Sequence, residues 1–303
     1  MAIGYFDAHC DTLTRFQDLY HSGETHLDLQ RLSRYEGAGQ VFALWAAPGE
    51  DTPEEFARLM DRLEQQLTLH GNAAMLCTSV AEADAAAAGG KTAVFVAVEG
   101  AALLGCTLAG LVEGYRRGVR LVTLCWNKDN RLCGAAFDSG SGLTEAGQEF
   151  VRACWKTGVA VDLSHASEQT FWDVLAVAQR PVICTHSNAK ALCDHPRNLT
   201  DEQIRAIVAN DGCVGLNFCT DFLGGNRDVE AIVDHAEHFL TLGAVKNLCL
   251  GTDFDGIEET PLGMAGVQDM PVLYDAMLRR GLSEATVQDI FYGNLRNYLQ
   301  KAL

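Results

Sequence analysis

Five short apolar runs in this chain each end in residues that can bind a metal or carry a proton. They read GYFDAHCD, TAVFVAVE, VAVDLSH, PVICTH and NLCLGTD, and they end on His9 and Asp11, Glu99, His165, His186 and Asp253. Continuous apolar runs of this kind predict strands buried on both faces, as in a parallel sheet. Between them lie segments with helical spacing, such as Phe56, Leu59, Met60, Leu63 and Leu67 in TPEEFARLMDRLEQQLTLH. The alternation yields about eight strands, most followed by a helix, and predicts a (β/α)8 TIM-type barrel. No Gly-rich phosphate fingerprint follows a strand, which argues against a doubly wound sheet. Barrels of this type build their active sites at the C-terminal strand ends and the loops that follow. The repetition therefore predicts one shared site.

Length and composition agree with this plan and exclude others. A chain of 303 residues, 48% hydrophobic, fills one α/β barrel with insertions. No shift in composition marks a boundary, so a single hydrolase domain over 1–303 is expected. AAMLCT reads as a short extra strand, and AEADAAAAGG as a surface helix ending at Gly89. The net charge is −17, from 40 acidic and 23 basic residues, without a dense run of Lys and Arg. A nucleic-acid partner is not expected, because phosphate binding needs concentrated positive charge. The opening MAIGYFDAHCDT does not read as a secretory signal, and no stretch approaches the roughly 18 apolar residues of a membrane span. The 11 cysteines cannot all pair and include no C-x-x-C. Buried free thiols in a reducing cytoplasm are the expectation.

The strand-end residues carry a specific chemistry. His9 and Asp11 are two apart, a spacing that points both side chains to one side of a strand and leaves Cys10 to packing. Imidazole with carboxylate suits zinc, and also manganese or iron. Glu99, His165 and His186 add further ligands, more than one tetrahedral catalytic zinc requires. With one bridging carboxylate the set suffices for two metals, about 3.5–4 Å apart, that share and activate a hydroxide. Asp253 is then the nearby acid/base, passing a proton from the water to the leaving amine. Each residue alone has a plainer explanation. Glu99, His165 and His186 could be caps, and Asp253 a turn residue with Asp255 equally eligible. Their recurrence at corresponding strand ends favours one site. His235 and His238, three apart on an expected helix, are read as a solvated face.

The chain resembles the membrane (renal) dipeptidase family of metallopeptidases, within the amidohydrolase superfamily. DAHCDT, AVEG, DLSHAS, THSNAKALCDHPRNLTDEQI and GTDFDG carry the likeness, with GLTEAGQEFV, nearly end to end. The resemblance implies a binuclear zinc site. His9, Asp11 and Glu99 would hold one metal, and Glu99 would bridge to a second held by His165 and His186. It also implies Asp253 as the acid/base. Arg197, in HPRN, matches the arginine that pairs with the substrate's C-terminal carboxylate, a role suited to a planar guanidinium. One segment departs from the family. Many members have Leu-Thr-His after strand four, and that histidine contacts substrate near the scissile carbonyl. Here the segment reads TLCWN, with no histidine between His70 and His165. Trp126 and Asn127 are expected to shape the substrate pocket instead.

These readings predict a cytoplasmic, metal-dependent dipeptidase acting on small dipeptides, those with a C-terminal D-residue included. A homodimer is the family-level expectation. The alternatives are another amidohydrolase reaction, on N-acyl amino acids or cyclic amides and lactones, and a non-catalytic metal-binding protein. The polar segment from Lys128 to Gly142 is read as a loop that helps close the pocket.

Overall fold

The computed structural model describes residues 3–16 and 18–303. Among these, nine parallel strands form: β1 (Gly4–Cys10), β2 (Glu36–Leu44), β3 (Ala74–Leu76), β4 (Thr92–Glu99), β5 (Val119–Thr123), β6 (Ala160–Asp162), β7 (Ile183–Cys184), β8 (Cys213–Leu216) and β9 (Leu248–Leu250). Eight of them close a barrel: β2 pairs with β1 and β4, and the ring continues through β5 to β9 and back to β1. β3 is the extra strand expected at AAMLCT. It pairs with the Thr92–Val94 start of β4, whose later residues pair with β5. The fold is the (β/α)8 TIM-type barrel.

Local signals set the helices. The Thr52 side chain accepts from Glu55 N–H, and Pro53 opens the helix Pro53–Leu69. Thr200 and Gln203 form a capping box on Asp201–Ala209. The helix Val80–Ala88 stops at Gly89, as expected. The last helical stretch is irregular: Glu284–Gln288 and Asn294–Ala302 flank a π turn at Asp289–Gly293. No helix among the described residues is long and apolar enough to cross a membrane.

The inside of the barrel is layered. Phe6, Val41, Phe95, Leu121, Ala160, Ile183, Cys213 and Cys249, one from each strand of the ring, form a buried plug with Leu295 and Leu299. Two residues further along their strands stand Thr123, Asp162 and Thr185, with glycine at Gly215 and Gly251. A Cβ on either glycine would lie 1.9 Å from the Thr185 carbonyl oxygen, so no side chain fits there. Above this polar layer is the barrel mouth. In β1, Phe6 and Ala8 face inward, and strict alternation would turn His9 outward beside Asp7. A register shift between Asp7 and Cys10 breaks the alternation. His9 enters the mouth, while Cys10 packs with the outer core.

Candidate active site

The barrel brings together His9, Asp11, Glu99, His165, His186 and Asp253. His9 Nε2 lies 3.3 Å from Asp11 Oδ2, 3.8 Å from Glu99 Oε1 and 3.9 Å from Asp253 Oδ1. His165 Nε2 and His186 Nε2 lie 2.9 Å and 3.5 Å from the same Glu99 Oε1. Three imidazoles thus converge on one oxygen of Glu99. Two overlapping groups have ligand atoms mutually within 4.8 Å: His9, Glu99 and His186, and His9, Asp11 and Asp253. His165 and Asp253 hold left-handed backbones, at φ +66° and +61°. Such conformations cost energy for non-glycine residues and concentrate at functional sites.

The donor set fits divalent cations. His165 Nε2 and His186 Nε2 are 3.0 Å apart. The Nδ1 atom of each ring is engaged elsewhere, by Asn127 Oδ1 at 2.7 Å and by Thr185 Oγ1 at 2.8 Å. Burial holds both imidazoles well below their ordinary pKa, so they are neutral. Their Nε2 atoms crowd each other and Glu99 Oε1, a cluster of donor atoms that a shared cation would hold together. His9 Nε2 and Asp11 Oδ1 are buried without a hydrogen-bond partner. Unmet polar atoms of this kind cost about 1–3 kcal/mol each, and coordination would relieve that cost. Burial opposes charge on His9, yet Glu99, Asp11 and Asp253 outweigh it and raise its pKa to about 10. The carboxylates at the mouth thus favour positive charge beside them.

Asp253 differs from the other carboxylates. Burial pushes it up to about 7; His9 and Arg197 oppose the rise, and Asp11 adds to it. Its Oδ2 accepts from Asn217 Nδ2 at 3.1 Å. The loop after β9 closes tightly on it: a Cβ on Gly256 would meet Asp11 Oδ2 at 2.2 Å and Asp253 Oδ1 at 2.5 Å.

A cavity of about 430 Å³ opens over these residues. Arg197, Trp126 and Asn127 line it, with Trp45, Phe137 and Phe222 as further aromatic walls. The Arg197 guanidinium is buried 5.5 Å from the Phe222 ring centre and donates to His186 O at 3.5 Å, while its Nε has no partner. Asn127 has a second contact that its sequence position did not suggest, on His165. Sequence reasoning also missed Asn217, Thr185 and Asp162, whose importance depends on neighbouring strands.

His235 corrects the expectation of a solvated face. It is fully buried; its Nδ1 accepts from Ala189 N–H at 3.1 Å and its Nε2 donates to Leu223 O at 3.0 Å. Ile232 and Phe239, three before and four after it, were the signal that its side of the helix faces inward. His238 is the partly exposed one, 2.8 Å from Asp201.

A barrel of this topology, with buried histidines and carboxylates converging at its C-terminal mouth, is the arrangement of a metal-dependent hydrolase. The chain belongs to the membrane dipeptidase family, peptidase family M19, whose sequence pattern matches residues 2–302, and is a metallo-dipeptidase acting on peptide bonds. A metallopeptidase of Rhodobacter sphaeroides, solved with a phosphinate mimic of the dipeptide L-Ala-D-Ala, is similar with a TM-score of 0.92 at 28% identity, over 100% of both chains. A dipeptidase of family M19 gives a TM-score of 0.92 at 30% identity, over 100% of this chain and 99% of that one. An uncharacterised protein of Acinetobacter calcoaceticus is 32% identical, with 78% of this chain and 89% of that protein covered.

Proposed function

We propose that the site works with two divalent metal ions, zinc by its donor chemistry, and hydrolyses small dipeptides, including those with a D-residue at the C-terminal position. One observation carries the reading: the Nε2 atoms of His165 and His186 stand 3.0 Å apart beside Glu99, with His9 Nε2 and Asp11 Oδ1 unmet nearby. His9, Asp11 and Glu99 would hold one ion. Glu99, His165 and His186 would hold the other, with Glu99 common to both. Ions bound there supply an activated water and polarise the scissile carbonyl.

The chain's own side chains do the remaining work. Asp253, with a pKa near neutrality, accepts the proton of the attacking water and delivers it to the departing amine. Arg197 presents its guanidinium to the substrate's free carboxylate and so sets the scissile bond over the carboxylates. Trp126 and Asn127 form part of the substrate wall. The ligand of the Rhodobacter sphaeroides relative supports an L,D-dipeptide as one substrate class.

Metal analysis of wild type and Glu99→Ala, with initial rates on L,L-dipeptides, L,D-dipeptides and N-acyl amino acids, tests the proposal. We expect about two metals per chain, their loss in the variant, and turnover of dipeptides in preference to N-acyl amino acids. A stably folded protein that takes up no zinc and leaves every dipeptide intact overturns it.

A further inference from the structure

We infer that Thr185, anchored by Asp162, is a positioning residue that locks the His186 ring in the tautomer with a bare Nε2. This deepens the two-metal reading and rests on it for its purpose. The geometry beneath the site stands independently.

Asp162 is buried inside the barrel, one layer below the candidate ligands. Four donors reach its carboxylate. Ser164 N–H and Thr185 N–H donate to Oδ1 at 3.0 Å and 2.9 Å. The hydroxyls of Thr123 and Thr185 donate to Oδ2 at 2.6 Å and 2.8 Å. Among the described residues no Lys or Arg pairs with it. A buried carboxylate is expensive unless its lone pairs are met, and here the hydrogen bonds meet them.

A carboxylate in this setting only accepts. The Thr185 hydroxyl therefore spends its one hydrogen on Asp162. Its oxygen still faces His186 Nδ1 at 2.8 Å, and His9 Nδ1 more distantly at 3.5 Å. An oxygen with no hydrogen left to give must accept, so His186 carries its proton on Nδ1. The bare Nε2 then points toward Glu99. Ser164 supports the same residue from the backbone side, its Oγ accepting His186 N–H at 3.2 Å. The direction of one hydrogen bond, Thr185 to Asp162, thus decides which nitrogen of His186 can bind a metal.

A second clamp of the same kind provides the control. Asp7 accepts Thr252 N–H at 2.9 Å and the Thr252 hydroxyl at 2.7 Å. Thr252 precedes Asp253 as Thr185 precedes His186, but its hydroxyl contacts no imidazole ring.

The test compares wild type with Thr185→Val, Thr185→Ser, Asp162→Asn and Thr252→Val. Long-range ¹H–¹⁵N NMR of the metal-free proteins reads the His186 tautomer, and chelator competition reads zinc affinity. Wild type and Thr185→Ser should show the Nδ1–H form. Thr185→Val should lose it and bind zinc about 10- to 100-fold more weakly. In Asp162→Asn, the amide oxygen must stay on the two backbone N–H groups, so the NH2 donates to Thr185. The Thr185 hydroxyl then turns toward His186 Nδ1, and the Nε2–H form should appear. Thr252→Val should leave the His186 tautomer unchanged. Retention of Nδ1–H and of wild-type zinc affinity in Thr185→Val overturns the inference, as does an equal tautomer change in Thr252→Val. If Thr185→Val does not fold, the opposite tautomers expected of Thr185→Ser and Asp162→Asn decide the matter. An Nδ1–H wild type that binds no zinc supports the clamp and overturns the two-metal reading.

Discussion

Asp253 and Arg197 sit in the same cavity but are suited to separate tasks, and their substitutions should separate kinetically. Asp253 is a carboxyl held near neutrality by burial, the condition for moving a proton in both directions. Asp253→Asn keeps the shape and the contact with Asn217 but removes the base. The expected result is a fall in kcat of about 10²- to 10⁴-fold, with metal content unchanged. Arg197→Met keeps much of the stem against Phe222 and removes the charge. The expected result is a rise in KM, with a loss in kcat/KM of about 10- to 100-fold, corresponding to a charged hydrogen bond of about 1.5–3 kcal/mol. Steady-state kinetics on one dipeptide check both, and equal effects on KM from the two variants would contradict this division. The candidate roles of these residues were legible in HPRN and GTDFDG. The raised pKa of Asp253 was not, because it arises from burial beside Asp11, residues far apart in sequence.

Helix Val229–Thr241 shows what a single element contributes. Its His235 bonds at both ring nitrogens, joining the Ala189 segment, which leads to Arg197, to the short helix Thr220–Leu223. Burial lowers its pKa, so the unfolded chain takes up a proton at higher pH than the folded one. The stabilisation is whole above about pH 6.5, the ordinary imidazole value, and declines as the pH falls below it. Urea unfolding at pH 7.5 and 5.5 should show a smaller acid-induced loss in His235→Gln than in wild type. An identical loss would mean that His235 does not contribute to the pH dependence. Element boundaries were readable where caps are local, as at Thr52 and Thr200. His235 was misread because the decision turned on which side of this helix met the barrel.

At the scale of the molecule, the Lys128–Gly142 segment links the outer surface to the chemistry. The Asp129 carboxylate gathers it by accepting from Ala135 N–H at 2.8 Å and Ser141 Oγ at 3.1 Å, with Ser139 as a further donor. Bridges from Cys133 to Leu143 and from Ala135 to Ala166 tie it down, and Phe137 reaches the cavity. A single proteolytic cut near Ser139 should raise KM more than it lowers kcat. Unchanged turnover after cleavage would remove the closing role proposed for this segment. The sequence by itself determined the barrel and its candidate ligands, because apolar alternation, residue type and strand-end position are local properties. Only the tertiary structure decided that a register shift admits His9 to the mouth and that three imidazoles converge on Glu99. It alone brought Thr185 and Asn127 to the imidazole rings, with Asp162 behind Thr185. Those facts depend on which strands become neighbours, how closely glycines let them approach, and how completely water is excluded.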